Sequence, residues 1–440
     1  MEIMKTKKSC QLIVSMLLTT MFCTGQAVNI NYFGQFDPGK TVTRFAPGIV
    51  SKSGVADFYV SFSPNGNKMF YGNANKRLYA EYKNGSWHSF EDYVAPEGYK
   101  SAVFSPVQDL IYVWEGAELK IGFMVKDGNK WSEVTEVIGP GNQKAWPSAS
   151  KDSMLYYLGN NFTVYSTKFN GITHETPKPL PFPVNYSSRF NPNDVCISAE
   201  GDYLVFINDV HQPGASAGAG MFVSFKKEEN HWTNPKRVSD YYLKKEPIPY
   251  FGQRTKMSPD GKYMFAAHYP QNHDMDIYWV STSIFEDARK SNFIPYVRNY
   301  IPNMEVAFGK FFSFTIADSI FVDDDGNETL TLTASLSNGK ALPDSLTFDS
   351  NTNTLSGNLY KTGSYTIKIT ATDTARASIS DVFKIIVKES TSVRVKINNS
   401  EVLIYPNPVQ NTIQIKQPKG LTDCNFKLIN LQGKALNKIG

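Results

Sequence analysis

Cysteine is scarce in this sequence: four occur among 440 residues. Two of them, Cys196 and Cys424, lie beyond the N-terminal segment and fall in different predicted domains. A disulfide framework is therefore not expected. The fold has to be stabilised by burial of an apolar core, for which a chain of this length has enough residues.

Long apolar runs and an excess of one charge are also missing. No stretch of the sequence approaches the roughly 20 apolar residues that span a bilayer as a helix. The 45 Lys and Arg nearly balance the 41 Asp and Glu, which leaves a formal net charge of +4. The missing apolar run means that no transmembrane segment is predicted. The balanced charge gives no electrostatic footprint for nucleic acid, so no nucleic-acid partner is predicted either.

Two common patterns of catalytic or metal-binding residues are absent as well. The sequence contains no His-Glu-x-x-His zinc pattern and no paired Cys-x-x-Cys. A binding protein is therefore favoured over an enzyme, and no catalytic residue is assigned.

The first 27 residues have the pattern of a signal peptide. Three lysines are followed by an apolar stretch at 12–18 and by the small-x-small cleavage site Gly25-Gln26-Ala27. We therefore expect secretion, to the exterior of the outer membrane or the medium.

What the sequence does have is a short phrase that recurs. A turn serine, followed in the strongest copies by Pro-Asn-Gly or Pro-Asp-Gly, precedes an apolar and aromatic stretch at Ser63, Ser105, Ser150, Ser198 and Ser258. The steps between these serines are 42, 45, 48 and 60 residues. A turn and several short strands per 40 to 50 residues are typical of a β-propeller, which we expect over residues 38–290.

The repeats predict five blades in a ring that the N-terminal part closes. The fifth repeat has no outer strand after Val280, whereas the segment Thr41 to Ser51 looks like a lone strand before the first repeat. Pairing of this segment with the third strand of the last blade would remove an open sheet edge.

The repeats resemble a known family. The turn phrases are similar to the WD40-like repeats of the TolB-like propellers, found in the periplasmic component of the Tol system. The phrases at 45–51 and 276–280 resemble more closely a group of secreted bacterial propellers. The resemblance covers about residues 30–290 and implies the fold, but not an activity, because propellers serve as binding modules, partner platforms and enzyme scaffolds.

Residues 300–390 alternate apolar and polar side chains between regularly spaced turn signals, which predicts a β-sandwich. The stretches 321–327, 342–348 and 363–373 resemble a cadherin-like immunoglobulin-type domain. That resemblance implies a calcium site at Asp323, Asp325 and Asp373, since calcium prefers carboxylate oxygens. The alternative is an acidic turn that is only solvated.

The tail, residues 400–440, resembles the C-terminal sorting domain of the type IX secretion system. Tyr405-Pro406-Asn407-Pro408 opens it, and an apolar stretch ending in Gly433-Lys434 follows. The family continues to a closing hairpin that these residues do not include, so we expect a truncated short β-sandwich. The type IX machinery is the implied partner, and a periplasmic location is the alternative if the tail does not support export.

The candidate ligand residues lie in the loops that precede the inner strands and in the loops that follow the second strands of the blades. Both kinds of loop lie on the same face of a propeller. Aromatic, arginine and histidine side chains there suit a sugar or a peptide. The candidates are Trp146, Arg189, His211, Tyr250, Gln253, Arg254, His268 and His273. The alternative is that these side chains only tie neighbouring blades together.

The sequence thus predicts an all-β protein with a propeller of five blades, an immunoglobulin-like β-sandwich and a short C-terminal β-sandwich. Its expected function is that of a secreted, cell-surface-directed binding protein for a glycan or a protein. The alternative is a glycan-active enzyme, a lyase or glycoside hydrolase, with its site at the channel mouth.

Overall fold

The computed structural model describes most of the chain from residue 30 to residue 389, and strands of the tail. The described residues are 30–52, 54–73, 76–90, 99, 101–107, 109–115, 119–128, 130–139, 145–185, 190–208, 220–228, 231–238, 253–268, 275–389, 393–397, 400–405, 414–416, 426–429 and 435–439. The predicted signal peptide lies outside them. The chain forms two compact units, one of Met1–Leu180, Asn185–Val223 and Arg237–Glu286 and one of Pro181–Val184, Ser224–Lys236 and Asp287–Gly440.

Five antiparallel sheets follow one another along the chain, after β1 (Thr43–Arg44). The first sheet contains β2 (Asp57–Phe62), β3 (Lys68–Asn73), β4 (Arg77–Lys83) and β5 (Ser86–Phe90). The second contains β6 (Ser101–Phe104), β7 (Leu110–Glu115), β8 (Lys120–Asp127), β9 (Lys130–Trp131) and β10 (Thr135–Glu136). The third contains β11 (Ala145–Ala149), β12 (Met154–Leu158), β13 (Val164–Lys168) and β14 (Lys178–Pro179), with a 3-10 turn at Asn160–Phe162.

The last two of these sheets each begin with three consecutive strands that pair in chain order. The fourth contains β15 (Pro192–Ile197), β16 (Tyr203–Asn208), β17 (Gly220–Glu228), β18 (His231–Trp232) and β19 (Lys236–Arg237). The fifth contains β20 (Gln253–Met257), β21 (Tyr263–His268) and β22 (Asp276–Ser281), and helix α1 (Ser283–Lys290) follows it.

The five sheets form a ring of neighbours. The innermost strands contact one another in the order β6, β2, β20, β15 and β11, and β11 also contacts β7 of the second sheet. This is the arrangement of a β-propeller. The number of blades stays a prediction, because residues between successive sheets lie outside those described.

The predicted closure of the ring is confirmed. β1 pairs antiparallel with β22, with Thr43 opposite Trp279. Beyond β1, the N–H of Phe45 donates to the carbonyl of Ile277 at 2.8 Å. The Ser51 hydroxyl donates to the same carbonyl at 3.1 Å and accepts from the Ile277 N–H at 3.2 Å. The Phe45 ring is fully buried in the core of the first unit, which holds the N-terminal segment in place.

The hydroxyl of the recurring serine stabilises the turn through hydrogen bonds. In the fifth repeat the hydroxyl of Ser258 donates to the Asp260 carboxylate at 2.6 Å and accepts from the N–H of Tyr263 at 2.9 Å. Ser198 makes the matching pair of bonds with Asp202 and the next tyrosine. Because the hydroxyl is buried, both bonds are needed, and they tie the turn to the start of the second strand.

The second unit contains a β-sandwich. One sheet has the order β24 (Met304–Ala307), β31 (Ser378–Lys388), β30 (Gly363–Thr372) and β27 (Thr331–Leu336), with β24 and β31 parallel. The other has the order β25 (Phe311–Thr315), β29 (Thr354–Asn358) and β28 (Leu346–Asp349). A short pair, β23 (Tyr296–Val297) and β26 (Phe321–Val322), and a 3-10 turn at Asn327–Thr329 complete the sandwich. Its core is aliphatic, with Leu355, Ile367 and Ile369 fully buried.

Five more strands are described from residue 393 onward, four of them in the tail. A three-stranded sheet consists of β32 (Val393–Ile397), β33 (Ser400–Tyr405) and β34 (Gln414–Lys416), and a hairpin consists of β35 (Phe426–Ile429) and β36 (Ala435–Ile439). The predicted fold class, all-β with a propeller and an immunoglobulin-like sandwich, is therefore confirmed.

Candidate functional site

The first unit contains a cavity of about 540 Å³ beside its innermost strands. Its described lining combines aromatic and charged side chains with Gly72, Asn73, Ser101, Val103 and Pro147. The aromatic ones are Phe58, Tyr59, Tyr99, Trp114 and Trp146. The charged ones are Lys76, Arg77, Arg254 and Lys256. A largely aromatic wall with a few polar groups and a volume of this size is typical of a small-ligand site.

Three inner strands carry a bulge at the same position. In β11, β15 and β20 two residues oppose a single residue of the neighbouring strand. The first residue of each bulge has a left-handed backbone: Trp146 (φ 58°), Asp194 (φ 50°) and Arg254 (φ 53°). Such conformations cost non-glycine residues about 1–3 kcal/mol each, and bulges re-aim side chains. The strain motivates the hypothesis that these three positions serve function rather than folding.

The bulge residues Trp146 and Arg254 meet in the cavity. The Arg254 guanidinium lies 4.1 Å from the Phe58 ring centroid and 5.6 Å from that of Trp146. The Trp146 ring also packs on Trp114, with 4.8 Å between centroids. A cation between two aromatic faces is held by the ring quadrupoles, so the guanidinium is fixed within the aromatic wall.

Lys256 lies deeper than the other cavity cations. It is only 7% exposed, and its Nζ donates to the carbonyl of Thr255 at 3.1 Å. Burial lowers the pKa of this amine, while the neighbouring Cys196 and Asp194 oppose the shift. Lys256 also lines a narrower cavity of about 30 Å³ further along the inner strands. It therefore stands at the floor of the large cavity.

Asp194 is the buried carboxylate near these cations. It is 5% exposed, and its Oδ1 has no hydrogen-bond partner among the described residues. Burial raises the pKa of Asp194 to about 6, although the N–H of Arg254 and the charges of Lys256 and Arg254 lower it in part. Asp194 does not line the cavity, so its negative charge lies behind the cationic floor.

Of the eight ligand residues predicted from the sequence, the structure brings Trp146 and Arg254 together. Gln253 begins β20, one residue before Arg254. His268 ends β21, where it is 4% exposed and packs edge-on against Tyr278 at 5.4 Å, and it does not line the cavity. The remaining four, Arg189, His211, Tyr250 and His273, lie outside the described residues.

The floor of the cavity and much of its wall are formed by residues that the sequence patterns do not single out. Lys256 and Asp194 were not among the candidates, and neither were Phe58 and Trp114. One signal was available: Trp146, Asp194 and Arg254 each lie four residues before the serine of a repeated turn. This spacing of four residues before the turn serine identifies the bulge position in three repeats.

Two short patterns of catalytic proteins occur in the sequence outside the context that gives them a role. Gly34 to Thr41 fits the phosphate-binding pattern Gly-x4-Gly-Lys-Thr, but the N–H of Gly39 is taken by the Asp37 carboxylate at 2.7 Å, and strand β1 follows instead of a helix. Gly214 to Gly218 fits Gly-x-Ser-x-Gly, yet it lies between strands β16 and β17 and outside the described residues. The nucleophile role needs a strand–turn–helix, so neither pattern is assigned a function.

The three predicted calcium ligands lie in the second unit, where each carboxylate accepts a hydrogen bond from the protein. Asp323 Oδ1 accepts from the N–H of Asp325 at 2.9 Å. Asp325 Oδ2 accepts from the N–H of Phe293 at 2.6 Å, and Asp373 Oδ1 from that of Ala377 at 2.8 Å. Within the described part of the chain, no group of three or more His, Cys, Asp or Glu is placed to hold a metal ion.

One feature of this acidic turn is still compatible with a cation. Asp323 Oδ2 is buried and has no hydrogen-bond partner among the described residues. Burial raises the pKa of Asp323, and the charges of Asp325 and Asp373 raise it further. Calcium binding therefore stays a prediction.

Comparison with known proteins identifies one domain. Residues 295–388 match the family model described as "Putative Ig domain" (He_PIG). Together with the sandwich topology, this match supports an immunoglobulin-like domain after the propeller. No curated protein matches the chain.

Solved structures resemble the chain only distantly. The extracellular domain of "the putative hybrid two component system" from B. thetaiotaomicron is 10% identical, with 76% of this chain and 44% of that chain covered and a TM-score of 0.35. The β-propeller domain of Cps50 (Swd1) from Myceliophteria thermophila is 9% identical, with 51% and 69% covered and a TM-score of 0.32.

Hydrazine synthase from Kuenenia stuttgartiensis is 16% identical, with 51% of this chain and 59% of that chain covered and a TM-score of 0.32. This chain spans about a fifth to three fifths of the first structures that it matches. At such identities and TM-scores these structures say nothing of what the chain binds.

Proposed function

We propose that this protein is a secreted binding protein that holds a glycan in the 540 Å³ cavity of its propeller. The observation that carries the proposal is the aromatic wall of Trp146 and Trp114 beside the Arg254 guanidinium. The apolar faces of sugar rings pack on aromatic rings, while their hydroxyls need polar partners at the edge. The strained backbone at Trp146 and Arg254 supports a binding role for this wall.

Titration calorimetry after a glycan array tests the proposal. Trp146→Ala removes the aromatic face and is expected to weaken binding of an array-selected glycan about 5- to 30-fold, equivalent to about 1–2 kcal/mol of lost apolar burial. Trp131→Ala is the matched control, since Trp131 lies in the same unit but lines a different cavity. Equal affinity for the wild type and Trp146→Ala would contradict the proposal.

The same samples separate binding from catalysis. The described cavity lining contains no carboxylate or histidine, the residue types that most often act as general acid or base. We therefore expect unchanged polysaccharide after incubation, measured as reducing ends and as unsaturated products. Release of either product by the wild type but not by Arg254→Gln would favour the enzymatic alternative. Capture of a protein rather than a glycan would favour the alternative partner.

We also propose secretion through the N-terminal signal peptide, with the type IX machinery acting on the tail. The support is the basic and apolar pattern of residues 1–27 and the Tyr405-Pro406-Asn407-Pro408 phrase. No helix among the described residues is long and apolar enough to cross a membrane. Intact-mass measurement of the exported chain tests this, with a first residue at Val28 expected. Retention of residues 1–27 would contradict it.

A calcium ion at Asp323, Asp325 and Asp373 completes the proposal. The buried, unpartnered Oδ2 of Asp323 supports it. If calcium binds the folded state alone, a hundredfold excess over its dissociation constant raises stability by about 2.7 kcal/mol. Thermal unfolding of the full chain with calcium and with chelator measures this, and Asp323→Asn should abolish the difference. Identical unfolding of the wild type in both conditions would contradict calcium binding and leave a largely buried acidic turn held by its hydrogen bonds alone.

A further inference from the structure

We propose that the ligand of the propeller cavity is an acidic glycan, whose carboxylate or sulfate group is held by Arg254 and Lys256. This inference rests on the proposed function and names its ligand class. The charged side chains that line the cavity are all basic. Lys76, Arg77, Arg254 and Lys256 line it, and no acidic side chain does so among the described lining residues. Four cations around one cavity favour an anionic ligand over a neutral one.

Lys256 supplies the strongest reason for a negative group. The side chain is nearly buried, and burial lowers the pKa of its amine, so the charged ammonium is costly there unless an anion pairs with it. Its one hydrogen bond to a described residue goes to the carbonyl of Thr255, although an ammonium has three N–H donors. No salt bridge joins its Nζ to a carboxylate among the described residues, although the buried Asp194 carboxyl is near enough to raise the pKa of the amine in part. A ligand oxyanion at the cavity floor would supply the missing acceptor.

Arg254 supplies the geometry. The planar guanidinium is held over the Phe58 ring and beside Trp146, and the bulge fixes its backbone. The backbone N–H of Arg254 donates to the Asp194 carboxylate, which anchors the bulge from behind. A guanidinium fork matches the two oxygens of a carboxylate or sulfate. Because the fork is already positioned, little conformational entropy is lost when an anion arrives.

The aromatic wall distinguishes a glycan from a free inorganic anion. Trp114 and Trp146 pack against each other along the wall, with ring planes tilted by 37° and centroids 4.8 Å apart. Inorganic sulfate would use only the cationic floor, whereas a sugar acid can pack a ring on the wall and reach the floor with its charged substituent. The ligand is therefore expected to need both parts of the cavity.

Calorimetric titration of the full chain with matched oligosaccharides tests the inference. The probes are a hyaluronan hexasaccharide, its carboxyl-reduced form, a chondroitin sulfate hexasaccharide, neutral xylohexaose and inorganic sulfate. We expect the acidic hexasaccharides to bind roughly 10- to 100-fold tighter than the reduced form, with the preference shrinking from 50 to 300 mM salt. The two acidic probes separate a carboxylate ligand from a sulfated one.

Two variants locate the charge. Lys256→Met keeps the buried stem and removes the ammonium, and Arg254→Gln removes the fork. Each is expected to lose about tenfold or more in affinity for the acidic probe and clearly less in affinity for the reduced probe. Lys130→Ala, an exposed lysine elsewhere in the first unit, is the control. If Lys256→Met does not fold, Arg254→Gln and the reduced probe decide the matter alone.

The outcomes distinguish the two proposals. Equal affinity of the wild type for the acidic and reduced forms would overturn this inference and leave glycan binding intact. Binding of sulfate as tight as that of the acidic hexasaccharides would overturn it too, since the wall would then contribute nothing. Failure of every oligosaccharide to bind would overturn both this inference and the proposed function.

Discussion

Replacing Asp194 by Asn should stabilise the first unit at pH 8. The Asp194 carboxyl is buried, and burial raises its pKa to about 6 from a reference value of 3.8. A difference of about two pKa units corresponds to about 3 kcal/mol of unfolding free energy. Because the folded-state pKa is the higher one, this stability is fully present below pH 4 and is lost as the pH rises through 6.

Asparagine removes that penalty with little other change. Its amide has the size of the carboxyl group, and its carbonyl can still accept the N–H of Arg254. Asparagine also tolerates the φ of 50° at this position. The variant should therefore be about 2–3 kcal/mol more stable than the wild type at pH 8 and nearly equal to it at pH 4.

Urea unfolding at pH values from 4 to 9, followed by tryptophan fluorescence, measures the difference. Five of the six tryptophans lie in the first unit. Asp127→Asn, at an exposed position on β8, is the control and should leave the pH dependence unchanged. An Asp194→Asn variant that is less stable than the wild type at pH 8 would contradict this prediction and show that the ionised carboxylate is needed for folding.

Two further variants test the architecture. Ser51→Ala removes both hydrogen bonds to the backbone of Ile277 and should cost about 1–3 kcal/mol of first-unit stability in urea unfolding, a loss that would be missing if the ring were not closed there. Gly357→Ala should cost the immunoglobulin-like domain about 2–4 kcal/mol in calorimetric unfolding, because φ is 148° and a Cβ would lie 2.0 Å from the carbonyl oxygen of Ser345. Gly339→Ala, also at positive φ but facing open space, is its control and should cost less than half as much.

The fold could be predicted from the sequence because its signals are local. Each turn serine forms hydrogen bonds with residues two to five positions away, as Ser258 does with Asp260 and Tyr263. The same short sequence motif therefore recurs wherever the turn recurs. The closing strand was also readable, since the fifth repeat lacks one strand and the segment before the first repeat supplies it.

The site could be predicted only in part, because it depends on contacts between repeats. Arg254 and Trp146 could be identified from their place at an inner strand, but the contact of Arg254 with Phe58 joins residues about 200 positions apart in the sequence. In the sequence, Lys256 looks like any lysine in a strand. It is buried only because strands of other repeats pack around it, which the sequence does not show. The hydrogen bonding of the acidic turn could not be predicted for the same reason. The N–H that donates to the Asp325 carboxylate belongs to Phe293, 32 positions away in the sequence.

The central claim is that the cationic, aromatic cavity of the propeller binds an acidic sugar. The most direct test is the dissociation constant of a hyaluronan hexasaccharide and of its carboxyl-reduced form for the wild type and Trp146→Ala. The wild type is expected to prefer the acidic form by about tenfold or more, and Trp146→Ala is expected to weaken binding of both forms. Equal binding of the two forms, or binding that Trp146→Ala leaves unchanged, would contradict it.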